Sequence, residues 1–270
     1  MNNSKQMSIL GCGWLGLPLG KKLVASGYQV KGSIRQEKKI FGLKNAGIQA
    51  YLLGIGAEKI KGDFAQFLEG TEILIIAIPP GLRKQPAENF VDKIKAILPH
   101  IEQSDVKKVL FISSTSVYAD DNTIVAEDTI PLPETESGKQ LLATEQLLKS
   151  NNHFQTTILR FGGLIGSDRH PINFLAGKKD LKNPDAPVNL IHLDDCIHII
   201  RKIIEENIWN ETFNAVAPFH PTREEYYTDQ AKSKGLKIPV FIQNIPIQGK
   251  TVSSQKVQDV LKYRFIRNVL

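Results

Sequence analysis

The sequence predicts an α/β fold, a doubly wound parallel sheet followed by a small C-terminal α/β lobe. Three observations predict it. Strand and helix patterns alternate through the first two hundred of 270 residues, the order that builds parallel sheets. Residues 73–78 (Ile-Leu-Ile-Ile-Ala-Ile) and 109–112 (Val-Leu-Phe-Ile) are apolar at every position, as strands are when helices cover both faces of a sheet. From about Asn214 the character changes, because Pro218, Pro221, Pro239 and Pro246 cut the chain into short elements.

The strand patterns fall at residues 8–10, 29–33, 49–53, 72–78, 108–113, 156–161 and 188–192. Helix patterns lie between them at 15–26, 37–45, 64–69, 87–101, 137–150 and 196–207. The first helix carries Leu15, Leu19, Leu23 and Val24 on one face and closes at Gly27. Asp194 is read as the N-cap of the helix that carries Ile199, Ile200, Ile203 and Ile204. In the tail, Thr222 and Glu225 form a T-x-x-E capping box that starts a helix through Tyr226, Tyr227 and Ala231. Gly11, Gly13 and Gly16, spaced G-x-G-x-x-G directly after the first strand, mark residues 1–213 as a dinucleotide-binding Rossmann domain, followed by a substrate lobe over 214–270, with residues 166–187 on the substrate side. Ligands of such folds sit at the C-terminal edge of the sheet, where the lobe is expected.

Met7 to Gly16 read as a short apolar strand running into Gly-Cys-Gly-Trp-Leu-Gly. Gly11, Gly13 and Gly16 fit G-x-G-x-x-G: the first permits a tight turn, the second close approach of a pyrophosphate, the third packing of helix on strand. The diphosphate would rest on the N–H groups at the start of the helix, which places Trp14 and Leu15 in the cofactor-binding set. The alternative is an ordinary glycine turn. The second strand ends in Ser33 and Arg35, with Lys38 and Lys39 beyond and no acid before Glu37. A carboxylate there would hold the ribose 2′-hydroxyl of NAD, and an arginine the 2′-phosphate of NADP. The prediction is therefore NADP over NAD; the alternative makes Arg35 a surface residue and Glu37 the ribose ligand. Ala77 and Pro79, at the end of the fourth strand, should line the same groove, with Arg83 just beyond them.

Bulk properties narrow the function classes. Net charge is +6, but lysines are spread through most segments, often beside acids, and no aromatic-interleaved basic stripe occurs. This predicts a solvated surface with a mild attraction for anions and no nucleic-acid partner. Residues 73–78 form the longest apolar run, far too short to span a bilayer, so no membrane partner is expected. Met1 to Gln6 are polar, unlike a secretion signal. Cys12 and Cys196 are the two cysteines and the six histidines are dispersed, which predicts no disulfide framework, no metal and a cytoplasmic setting. Cys12 could oxidise and block the glycine loop, or serve as a small buried filler.

The segment Ser113-Ser-Thr-Ser-Val-Tyr118 follows the fifth strand. With the glycine loop, Ile124-Val-Ala-Glu-Asp-Thr-Ile-Pro-Leu-Pro133, Ile158-Leu-Arg-Phe-Gly-Gly-Leu-Ile-Gly166, Asn189-Leu-Ile-His-Leu-Asp-Asp195, Phe213-Asn-Ala-Val216, Gly249-Lys-Thr-Val-Ser253 and Leu261-Lys-Tyr263, it resembles the extended, epimerase/dehydratase-like branch of the short-chain dehydrogenase/reductase superfamily. The likeness runs nearly end to end. Within the branch, the glycine loop and the tail resemble the YeeZ-like proteins. The resemblance implies that Ser114 hydrogen-bonds the reacting oxygen, that Ser113 lies beside the cofactor, and that a tyrosine acts as acid/base with a lysine four residues on. It also allows a homodimer. A phenol with pKa ~10 is a poor base at neutral pH unless a cation favours the phenolate, and residues four apart share a helix face.

Alignment of Ala143-Thr-Glu-Gln-Leu-Leu148 puts Ser137 at the tyrosine position and Leu141 at the lysine position, and no Tyr-x-x-x-Lys occurs in this stretch. Standard carbonyl reduction by that pair is therefore not expected. Lys139 lies about 200° round the helix from Ser137. Three readings follow: an oxidoreductase or epimerase acting on a small hydroxylated or carbonyl compound through other groups, an NADP(H)-responsive binding module, or a scaffold with vestigial nucleotide affinity. For the first, Ser114 and Tyr118 are the candidate catalytic residues, with Ser116, Lys139, Tyr226 and His220 as other proton carriers. Tyr118 also reads as a packed aromatic with a satisfied hydroxyl. His192 with Asp194 has the look of a catalytic pair, but the resemblance implies a structural turn and helix cap, and Gly162 with Gly163 reads as space for the nicotinamide. An asparagine common in relatives that handle nucleotide sugars is replaced by Gly163, which counts against a UDP-sugar.

Overall fold

The computed structural model describes residues 5–82 and 89–267. In chain order the elements are β1 (Gln6–Leu10), α1 (Gly16–Ala25), β2 (Gln29–Ile34), α2 (Ile40–Lys44), β3 (Gln49–Leu52), β4 (Gly54–Ile55), β5 (Ile60–Lys61), α3 (Phe64–Leu68), β6 (Ile73–Ile76), α4 (Phe90–Glu102) and β7 (Lys108–Ser114). They continue with β8 (Ile124–Val125), α5 (Glu136–Lys149), β9 (Gln155–Phe161), β10 (Gly163–Ile165), α6 (Ile172–Leu175), β11 (Leu190–His192), α7 (Leu193–Glu205), β12 (Thr212–Ala215), α8 (Arg223–Ser233), β13 (Thr251–Val252) and α9 (Gln255–Val260). Seven strands form one parallel sheet in the order β12-β9-β7-β6-β1-β2-β3. The chain runs outward from β1 through β2 to β3, then crosses back so that β6 pairs with the other side of β1, Ile9 opposite Ile75. The order reverses at β1 and β6, and ligands of doubly wound sheets bind beyond the strand ends at such a reversal.

The apolar strand runs are buried as their composition requires. Ile9, Leu74, Ile75, Ile76, Leu110 and Phe111 have essentially no exposed surface. Helix α1 packs through Leu19 and Leu23, and it ends where Gly27, at φ 87°, and Tyr28 donate to Val24 and Leu23 carbonyls. Asp63 caps α3 by accepting from Gln66 N at 2.8 Å. At the other end of α3, the buried Lys31 donates to the Gln66 and Glu69 carbonyls at 2.8 and 2.7 Å, which satisfies acceptors left open by the helix. The helix expected to begin at Ala87 starts with Asn89 as cap of α4; Ala87 itself, like Arg83, lies outside the described residues.

Two readings need correction. The predicted strand at 188–192 is not in the main sheet: Leu190–His192 pairs with Gly163–Ile165 in a separate two-stranded ribbon. Its place is taken by β12, beside β9. Asp194 is not the cap of α7, because the helix already begins at Leu193 and includes both aspartates in its first turn. Asp195 is fully buried there and accepts from the tail. The capping box of α8 forms as read, with Thr222 and Glu225 exchanging hydrogen bonds.

The chain divides into two compact units, each discontinuous in sequence. The first comprises Met1–Ser114, Thr135–Leu159 and Ile200–Thr212; the second comprises Thr115–Glu134, Arg160–Ile199 and Phe213–Leu270. A boundary at 213/214 therefore isolates only the last stretch of the second unit. That unit has its own core, in which Ile165, Ile172, Leu190, Tyr226, Tyr227 and Phe241 are buried together.

His170 belongs to this core. Its Nδ1 accepts from Ile172 N at 3.2 Å, which leaves Nε2 to donate to the Tyr226 hydroxyl at 2.8 Å. Burial, with the charge of Lys234, lowers its pKa to about 4. The unfolded chain titrates this group near 6.5, so between these values it binds more protons than the folded state. Stability should be intact above pH ~6.5 and fall progressively as the pH drops toward ~4. His220, lowered in the same direction by burial, adds to the effect. Urea midpoints at neutral and mildly acidic pH should differ, and His170→Gln should reduce the difference; an unchanged slope would contradict the assignment.

Candidate functional site

The glycine loop follows β1 in the first unit, and its three glycines stand in three different environments. Gly11 has φ 107°, and a Cβ there would lie 2.9 Å from Ile78 Cγ2. At Gly16 a Cβ would lie 2.3 Å from the Gly11 carbonyl oxygen, so helix and turn pack without room for a side chain. At Gly13 no atom of the described residues lies within 4 Å of the Cβ position. This glycine borders open space rather than protein. Leu15 is buried, so its side chain belongs to the core and its backbone alone can meet a ligand; Trp14 is half-buried.

Second-strand residues shape the same loop. Ser33 is buried, its hydroxyl accepts from Gly11 N at 2.9 Å, and its carbonyl accepts from Cys12 N at 2.8 Å. The hydroxyl predicted to meet cofactor is thus engaged in holding the turn. Arg35, Lys38 and Lys39 are all exposed beyond the strand end. Ala77 donates to the Leu10 carbonyl at 2.9 Å, which places the end of β6 beside the loop, with Pro79 exposed after it. Cys12 sits where Gly32 leaves room, since a Cβ on Gly32 would lie 2.5 Å from its sulfur. Burial raises the thiol pKa to about 12, so at neutral pH it stays protonated and acts as filler.

Ser113 and Ser114 end β7. Ser113 is buried and donates to Glu145 Oε1 at 2.5 Å, so its side chain is held by α5. Ser114 is half-buried. Ser137, Leu141 and Glu145 stand four apart along α5 and share one face. The positions that the resemblance assigns to tyrosine and lysine therefore hold a half-buried serine and a buried leucine, while Lys139 is exposed. Glu145 escaped the sequence reading. Its one signal is its place in register with Leu141, where a helix face that buries apolar residues would not tolerate an unpaired acid.

Tyr118 lies in the second unit and is 2% exposed. Arg160 Nη1 donates to its hydroxyl at 2.6 Å, and the phenol proton is shared between the Ala126 carbonyl at 2.9 Å and Asn214 Oδ1 at 3.0 Å. The Arg160 guanidinium also lies 5.0 Å from the ring centre. Burial raises the phenol pKa above its ordinary value, against the opposing pull of Arg160. A buried phenol bonded on every side is a packing element, which favours the satisfied-aromatic reading. Tyr118→Phe should cost about 1–3 kcal/mol by leaving Arg160 Nη1 with one partner fewer in a desolvated site; urea unfolding measures it, and an unchanged midpoint would refute the reading.

The other proton-carrier candidates of this unit are also engaged. Tyr226 meets His170 in the core, and His220 Nδ1 lies 3.1 Å from the Val188 carbonyl. Ser116 is half-buried. His192 Nδ1 accepts from Asp194 N at 3.2 Å, the geometry of a turn. Gly162 and Gly163 have a packing explanation: a Cβ would lie 2.7 Å from the Asn189 oxygen at the first and 2.5 Å from Leu190 Cδ2 at the second. The missing asparagine is thus replaced by contact between β10 and β11. Among the described residues, no three His, Cys, Asp or Glu side chains are grouped to hold a metal.

The glycine turn follows β1, where the sheet order reverses and Gly13 borders open space, and the profile of the NAD(P)H-binding family matches residues 11–191. The chain belongs to this family. Protein YeeZ of Escherichia coli (strain K12) is 32% identical to this NAD(P)H-binding protein over 266 residues, 97% of this chain and 96% of YeeZ. Among solved structures, a candidate NAD-dependent epimerase/dehydratase from Methylobacillus flagellatus is 25% identical, with a TM-score of 0.81 over 99% of this chain and 95% of that one. A Bacillus cereus UDP-glucuronic acid 4-epimerase in complex with NAD shares the fold at 20% identity, with a TM-score of 0.79 over 96% and 91% of the two chains.

Proposed function

We propose that this family member binds NADP(H) in preference to NAD(H) and acts as an atypical oxidoreductase or epimerase on a small hydroxylated or carbonyl compound. The observation that carries the reading is the open space at Gly13 within an otherwise packed loop, where a diphosphate can approach the backbone. When bound, the nicotinamide supplies or accepts a hydride. The chain's own residues do the rest. Gly11, Gly16 and Ser33 hold the turn, the backbone of Trp14 and Leu15 faces the diphosphate, and the Ala77–Pro79 segment lines the groove. Ser114 hydrogen-bonds the reacting oxygen and polarises it, on a strand end that the Ser113–Glu145 bond keeps in place. Both cysteines are free and buried, which fits a reducing, cytoplasmic compartment.

The preference for NADP(H) rests on Arg35, exposed where β2 ends, with Lys38 and Lys39 beside it and no carboxylate on the last residues of the strand. Isothermal titration should show NADPH binding about tenfold or more tighter than NADH, and Arg35→Ala should remove most of the difference. Tighter binding of NADH would overturn the preference. Hydride transfer to a panel of aldehydes, ketones and sugars tests the enzymatic reading, with Ser114→Ala expected to lower kcat.

A second reading has its own support. With Ser137 and Leu141 at the tyrosine and lysine positions, and Tyr118, Tyr226 and His170 all tied into packing, the chain also suits an NADP(H)-responsive binding module. Tight NADPH binding without turnover on the whole panel would favour it.

A further inference from the structure

The sequence spreads its 26 lysines along the chain, but folding brings six of them together. Residues 174–182 hold three lysines and one aspartate, and residues 232–240 hold three lysines and no acid. Together they carry five net positive charges of the +6 of the whole chain. The second unit joins these segments side by side. Gly177 N donates to the Lys237 carbonyl, Val240 N to the Lys178 carbonyl, and Leu181 N to the Val240 carbonyl, at 2.8, 2.9 and 3.1 Å. Phe241 and Pro239 turn inward and are buried. Lys178, Lys182, Lys237, Ile238 and Val240 are left exposed on this ribbon. Phe174, on α6 just before it, is 74% exposed, Val240 52% and Ile238 43%. Asp180 is the one acid on the two segments, and Asp229, just outside them, lies 3.8 Å from Lys232.

We propose that this ribbon, with α6, is a docking face for an anionic bilayer surface. The charge requires a polyanionic partner, and the chemistry of the face selects the kind. Every cation on the two segments is a lysine, so the planar fork that reads phosphate backbone and base edges in nucleic acids is missing. Large apolar side chains alternate with the ammonium groups instead. A nucleic-acid backbone offers these apolar groups nothing, whereas at a membrane interface they enter the acyl boundary while lysines snorkel to the head groups. The contact is peripheral, since no helix among the described residues is long and apolar enough to cross a membrane. It departs from the sequence expectation of no membrane partner, which took each segment by itself.

Flotation of the full chain with vesicles decides the matter. Binding is expected to phosphatidylcholine vesicles containing roughly one-third phosphatidylglycerol, to be lost on raising salt to ~0.5 M, and to be missing with phosphatidylcholine alone. Each lysine at an anionic surface is worth roughly fivefold in partitioning. K178E with K237E should therefore lower binding at least tenfold, and Phe174→Ser with Ile238→Ser should also weaken it. Reversing Lys59 and Lys61, both exposed at the β5 hairpin of the first unit, changes net charge equally and should not. Circular dichroism verifies that each variant is folded. The proposal fails if anionic vesicles do not bind the chain, if the control pair weakens binding as much, if the apolar pair has no effect, or if single-stranded DNA or polyglutamate binds more tightly than the vesicles.

Discussion

A Gly13→Val variant is expected to fold with near-native stability and to lose NADPH affinity on the order of a hundredfold, about 2.7 kcal/mol. A Gly16→Val variant is expected to lose both. The two glycines stand three residues apart in one motif but meet different surroundings. A side chain at Gly13 meets no atom within 4 Å among the described residues and no positive φ, so the folded state has little to resist it. It would occupy the space that the proposed diphosphate needs. At Gly16 the first carbon of a side chain would lie 2.3 Å from the Gly11 oxygen, with Ile9 Cγ2 at 3.1 Å. Backbone must move there, at a cost of about 1–3 kcal/mol or more, and the loop geometry moves with it. Urea unfolding and isothermal titration on the same preparations separate the outcomes. Undiminished NADPH binding by Gly13→Val would remove the main support for the dinucleotide reading.

Asp195→Ala should be the most destabilising single change in the second unit. Its carboxylate is fully buried in the first turn of α7. Oδ1 accepts from the Tyr263 hydroxyl and from Ile266 N, both at 2.7 Å, and Oδ2 accepts from Arg267 N at 3.3 Å. Alanine would leave three donors without their acceptor, two of them backbone. The expected loss is about 3–5 kcal/mol, with earlier proteolytic cleavage near Tyr263. Asn should recover part of it, because its oxygen still accepts while its amide cannot. Burial, with the neighbouring Asp195 carboxylate, pushes the Tyr263 phenol pKa up. A midpoint within experimental error of the parent protein would show that the tail is held by packing of Phe265 and Leu261 instead.

Much of the fold was legible because its signals are local. Apolar runs buried on both faces, a glycine turn between strand and helix, and a T-x-x-E cap each depend on neighbours within a few residues, and each formed where read. The strand at 188–192 was misplaced because periodicity reports that a segment is extended and half-buried, not which strand it pairs with. Asp194 was misread because composition favours an acid at a cap or in the first turn alike. Glu145 and Arg160 drew no site prediction of their own fate, since their partners Ser113 and Tyr118 lie 32 and 42 residues away.

By itself, then, the chain's order of residues determined the parallel α/β class, the glycine loop, the missing Tyr-x-x-x-Lys pair and the basic end of β2, all properties of type and spacing. Tertiary structure alone decided that Gly13 faces open space while Gly16 faces a carbonyl, that Tyr118 is enclosed by Arg160 and Asn214, and that two lysine segments 50 or more residues apart form one face. The physical reason is range. Backbone preference and burial pattern act along the chain, whereas the surroundings of a side chain depend on which distant segments fold against it.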